Sequence, residues 1–220
     1  MVRRHAFAWG YLTAFAVAQL VYAPLPPHAH QVLLGWASTS VANLEHDPFV
    51  SLVLSALVVE GNWVAWLALI AVAVLGASRV AGNRRTAVVC VAGHIIGTLV
   101  SEGIVAYRVG AGQLPATSIH LNDVGPSYLV VSALVLMLAR GGPVIRLAAV
   151  TEFAVLIFAA EIFAGLSHLN VAAVGHVAAI ATVVVSEGVA HAKADKVRDA
   201  GGGDAQHELA EGAAPEGPPG

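Results

Sequence analysis

The sequence predicts an all-α polytopic membrane protein, and three observations predict it. Of 220 residues, 57% are hydrophobic and only 11% are charged, against about 25% charged in an ordinary soluble domain. Mean hydropathy is +0.75, and the apolar residues fall in runs near the length of a bilayer-spanning helix, about 20 residues. Six such runs leave no room for a separate soluble domain, so residues 1–192 read as one transmembrane domain.

The six spans are 6–23, 61–78, 86–107, 124–139, 147–164 and 171–191. The first follows Arg3 and Arg4 and also carries features of a secretory signal, ending Val21-Tyr22-Ala23. Pro24 after that site and the length of the run favour a retained span. Residues 49–60 are apolar but are interrupted at Glu60-Gly61-Asn62, which reads as an interfacial or re-entrant segment. One long tilted span over 49–78 is the alternative, with the same topology. The stretch 193–220 is Gly-, Pro-, Ala- and acid-rich and is expected to be a disordered cytoplasmic tail.

Charge tests the count independently, because cytoplasmic loops carry the excess of Lys and Arg. With both termini cytoplasmic, Arg3, Arg4, Arg79, Arg84, Arg85, Arg140, Arg146, Lys193, Lys196 and Arg198 share the inner side, and only Arg108 lies outside. The outer face then holds 24–60, 108–123 and 165–170. Trp9, Tyr11, Trp36, Trp63 and Trp66 suit interfacial anchoring. A formal net charge of −3 gives no basic excess for nucleic acid. The single cysteine, Cys90, excludes an intramolecular disulfide and reads as a small buried hydrophobe. No cofactor is implied, and no helical metal-ligand pair is present, His28-x-His30 lying in a proline-rich loop. No internal repeat of the transporter type is evident.

Ionisable residues inside spans are costly and therefore mark functional candidates: His94, Glu102, Glu152, Glu161, His176 and Glu187. Counting along the spans puts Ser127, His176, Glu102 and Glu161 in one layer roughly 5–10 Å below the outer face, with His94 deeper. Gly125-Pro126 marks the start of span four. Ser127 thus lies in a first turn, where free N–H groups and the positive dipole end favour a developing oxyanion. Capping by Asp123 and Ser127 explains the same residues. His176 follows Gly175, with Ala172, Ala173 and Ala179 close by on the helix surface, so another helix can approach closely. A serine needs a base to become nucleophilic, and Ser127 with His176 would form such a dyad.

This arrangement resembles the rhomboid family: six helices, a serine opening span four and a histidine near the start of span six. The resemblance covers about 45–192. Pro48-Phe49-Val50-Ser51-Leu52-Val53-Leu54-Ser55-Ala56-Leu57 resembles the segment entering span two, Gly125-Pro126-Ser127-Tyr128 the serine motif, and Gly175-His176 the span-six motif. Gly93-His94 and Asp123-Val124-Gly125-x-Ser127-Tyr128 are similar to a divergent rhomboid-like group of high-GC bacteria. The resemblance implies a multi-pass protein of the bacterial cell membrane with transmembrane-helix substrates or clients as partners. It also implies an intramembrane serine protease with Ser127 as nucleophile and His176 as general base. Gly125, His94 and Asn122 are the candidates for oxyanion support, and Glu102, Glu161 and Asp123 for a polar network.

The departures are specific. Tyr128 replaces the glycine that ends the family's serine motif, Asn62-Trp63-Val64-Ala65-Trp66 stands where an HxxxN pair is expected, and Ser78-Arg79 lacks the acidic residue. Losing one oxyanion donor typically costs about 100- to 1000-fold in rate. A non-catalytic protein that binds transmembrane helices is therefore the second reading. A proton-coupled transporter using Glu102, Glu152, Glu161 and His94 is the third. Oligomeric state is not legible in the sequence.

Overall fold

The computed structural model describes the backbone of residues 5–211 and the side chains of that range except 195 and 197–211. The described residues form helices and no strand. Helices overlap the six expected stretches: α1 (Ala6–Tyr22), α5 (Trp63–Ala81), α6 (Asn83–Gly110), α7 (Ser127–Arg140), α8 (Pro143–Phe158) and α9 (Val171–Glu211). Between α1 and α5 lie three short helices, α2 (Pro27–Ala37), α3 (Val41–His46) and α4 (Pro48–Ser55), and α4 occupies the segment read as re-entrant. By length and composition, Trp63–Ala81, Asn83–Gly110 and Val171–Ala194 suffice to cross a membrane, and Ala6–Tyr22 and Ser127–Arg140 are shorter apolar helices.

Local chemistry sets the helix ends. The Asn62 side chain accepts the Ala65 N–H at 3.1 Å and opens α5. Gly82, at φ 79°, turns the chain directly into α6, a backbone conformation that an L side chain resists. Pro143 starts α8, where its missing N–H is an orphan position anyway. Pro126 caps α7 rather than forming its first turn, so Ser127 is the first helical residue.

The chain divides into two compact units, Met1–Val184 and Val185–Gly220. In the first, α7 is the central helix. It packs on α5, α6 and α8, and Tyr128 to Leu134, Leu136 and Met137 are all buried. Such all-round burial follows from a helix that is apolar on every face. α1 closes against α5 and α6, and Phe15, Ile70, Leu134 and Leu156 are fully buried in the shared core. α6 turns small and polar residues inward, from Cys90, Gly93, His94 and Gly97 to Thr98, Ser101 and Glu102. At Gly93 an added Cβ would collide with the Ser132 hydroxyl, so the glycine sets how closely α6 meets α7. Outward-facing Val144, Leu147 and Phe158 on α8 and Val88 and Leu99 on α6 are exposed, as a lipid-facing surface requires.

In the second unit the helix runs on to Glu211, with the His191 ring nitrogen Nδ1 2.8 Å from the Glu187 carbonyl. The stretch 193–220 expected as a tail falls in this unit, and of it 212–220 lie outside the described residues.

Candidate functional site

The candidate residues gather where the start of α7 meets α6, the start of α9 and the connecting segment 121–126. That segment is fixed from both sides. The Asp123 N–H donates to Ser38 Oγ at 2.8 Å, while the N–H and hydroxyl of Thr39 both donate to the Asp123 carbonyl at 3.0 Å. Two residues on, the Gly125 N–H donates to the Ser55 carbonyl at 2.8 Å. Gly125 sits at φ 135°, which a residue with a Cβ would adopt only under strain. The ends of α2 and α4 thus aim the first turn of α7.

His94 holds α4 in place. Its Nε2 lies 2.9 Å from the Leu52 carbonyl and 3.3 Å from Ser55 Oγ. A carbonyl only accepts, so the proton sits on Nε2, and Ser55, itself 3.3 Å from the same carbonyl, has no free base to activate it. The contact ties α4 to α6.

Tyr128 is the centre of the site. Its hydroxyl donates to Asp123 Oδ2 at 2.8 Å and lies 3.5 Å from the Val171 carbonyl. The ring lies against two glycines: an added Cβ at Gly175 would collide with its Cζ and hydroxyl, and one at Gly97 would be 2.9 Å from the Gly175 carbonyl and 3.3 Å from the ring. The His176 ring meets Tyr128 edge-on, centroids 4.9 Å apart at 77°, and meets Phe163 at 6.2 Å and 81°. His94 is 6.2 Å from Tyr128 on another side. Ser101 reaches the Tyr128 hydroxyl, and Glu102 lies within electrostatic range of both Asp123 and Tyr128. Burial raises the Asp123 carboxyl above its ordinary range, and the Tyr128 hydroxyl bond offsets part of that rise.

Ser127 is half-buried and follows Pro126 at the N-cap of α7, and among the described residues no hydrogen bond joins it to His176. Both His176 nitrogens are buried without a well-formed hydrogen bond, the Ala172 and Ile162 backbones being nearest. Asn122 is exposed. Glu161, expected inside span five, lies beyond the end of α8 in an exposed turn at φ 50°, so it does not join the polar layer. Among the described residues no group of three or more His, Cys, Asp or Glu side chains is placed to hold a metal ion.

Sequence reasoning treated Tyr128 as an obstacle and missed it as the hub. Its signal was present in Gly97 and Gly175, small residues whose spacing suits a bulky side chain from a neighbouring helix. The Ser38 and Thr39 contacts had no signal, because they join segments more than 80 residues apart.

The fold and site define a helical membrane protein with a buried polar cluster where three apolar helices converge. The family described as rhomboid-like protein matches residues 1–191, and the chain belongs to it. No curated protein and no solved structure matches the chain.

Proposed function

We propose that this rhomboid-like membrane protein binds transmembrane helices without cutting them. On this reading it spans a bacterial cell membrane six times, with both termini cytoplasmic. The observation that carries it is the Tyr128 ring packed edge-on against His176, with its hydroxyl tied to Asp123. A general base must lie within hydrogen-bond reach of the proton it removes. Here the Tyr128 ring packs against His176 where a nucleophile from the start of α7 would approach, no hydrogen bond joins Ser127 to His176 among the described residues, and the Tyr128 ring is held by Gly97 and Gly175. The polar cluster then orders the junction of α6, α7 and α9, and binding falls to the lipid-facing surface. A groove of about 660 Å³ lies between α5 and α8, lined by Ala65, Ala68, Leu69, Val72 and Leu147. Small residues on a helix pair suit the approach of a further helix.

The test is co-reconstitution with a fluorescent single-span peptide. Association without a cleavage product is expected, unchanged in Ser127→Ala and His176→Ala. A product formed by wild type and lost in both variants would overturn the proposal.

One observation favours the protease reading instead. Ser127 is the first residue of α7, beside the free N–H groups of a helix start. On that reading Ser127 is the nucleophile and His176 the base, with Gly125, His94 and Asn122 supporting the oxyanion and Glu102 and Asp123 forming the polar network. The Tyr128 side chain would have to swing away first.

A further inference from the structure

Glu152 is the buried ionisable side chain that the polar site leaves unexplained. Ala149 and Leu156, one turn to either side, are fully buried, which puts Glu152 on the inward stripe of α8. It is 5% exposed, and neither carboxylate oxygen has a hydrogen-bond partner. Glu152 also lines the α5–α8 groove, whose surface is almost wholly apolar, so its carboxylate oxygens lie beneath that surface. Glu152 follows Pro143, the first residue of α8, by nine positions, a rise of about 13 Å at about 1.5 Å per residue. It lies six positions before Phe158, the last residue of α8, and so in the middle third of the helix. An unpaired carboxyl at this depth is costly, and such residues ordinarily have a partner.

Three occupants of the groove can be compared. An acyl chain offers no donor. Among the described residues a second copy of this chain offers no cation at the right depth: Arg79, Arg84, Arg85, Arg108, Arg140 and Arg146 all lie within a turn of a helix end, Lys193 and Lys196 lie at or past the end of the apolar stretch Val171–Ala194, and α1 has no Lys or Arg. His94 and His176 are buried in the site already described. A different transmembrane helix with a Lys or Arg at mid-membrane offers what is missing, a charge-assisted hydrogen bond to a carboxylate shielded from water.

We propose that Glu152 is a specificity-determining residue, selecting transmembrane helices that carry a basic residue near the bilayer middle and seat in the α5–α8 groove. This rests on the helix-binding reading above and names the partner class for it. The experiment uses full-length protein in phosphatidylcholine vesicles and energy transfer to leucine–alanine helices of about 20 residues. One helix carries a central Lys and the other a central Met. Wild type should bind the Lys helix about tenfold more tightly, a typical yield for one interhelical polar contact at the upper end. Glu152→Gln should lose that preference while keeping the Met-helix affinity, and Glu152→Lys should prefer a helix with a central Glu. Equal binding of the Lys and Met helices by wild type, or a Lys preference that survives in Glu152→Gln, overturns the role of Glu152 and leaves helix binding standing. Binding of neither helix overturns both.

Discussion

Adding one methyl group at Gly175 would drive a carbon into Cζ and the hydroxyl of Tyr128, and this contact is the sharpest probe of the site. Gly175→Ala should destabilise the protein by about 1–3 kcal/mol, the usual cost of overpacking. Tyr128→Ala should cost about 3–5 kcal/mol, as aromatic truncations in cores do. The double variant should cost clearly less than the sum, because the clash needs the ring; strictly additive denaturation energies in detergent would refute the packing. Tyr128→Phe should cost only about 1 kcal/mol for the hydroxyl bond to Asp123. Asp123 adds a pH signature. Its carboxyl is raised above the ordinary 3.8, so the folded chain holds the proton more tightly than the unfolded one. This group's contribution is therefore fully present below that ordinary value and is lost as pH rises through the higher folded value. Wild type should gain stability on acidification through that interval, and Asp123→Asn should not. Parallel profiles would refute the assignment.

At the scale of elements, the hydrophobic runs located the apolar helices, and Gly125-Pro126 located the start of α7 to within a residue. The direction of side chains around α7 was not legible. Adjacent residues on a helix point about 100° apart, so Ser127 and Tyr128 cannot both face His176. An amphipathic helix would reveal which one does, but α7 is apolar all round and its register is settled only by packing. The end of α8 was misplaced for a related reason: composition stays apolar through Ile162 and Phe163, while the helix ends at Phe158 and leaves Glu161 outside. The tie between α4 and α6 gives a prediction here. His94→Ala removes the bond to the Leu52 carbonyl and loosens the Ser55 contact with Gly125. Amide exchange should then quicken over Pro48–Ser55 while the middle of α7 stays protected. Unchanged exchange in α4 would show that the tie carries little.

For the whole molecule, the charge asymmetry that predicts six spans has a direct check. In a Cys90→Ala background, Gln113→Cys should react with an impermeant thiol reagent added outside intact cells, and Gly142→Cys only after the membrane is opened. The reverse pattern, or equal labelling, would contradict the topology. Family membership reaches residue 191, yet the side-chain arrangement at its centre decides whether this chain cuts or holds. That question turns on one hydroxyl. The most direct measurement is fluorophosphonate labelling of the solubilised protein beside Ser127→Ala and His176→Ala, with an active serine hydrolase labelled in parallel. The packed Tyr128–His176 site predicts that folded wild type labels no more than Ser127→Ala. Labelling of wild type that disappears in both variants would establish an activated serine and contradict the account.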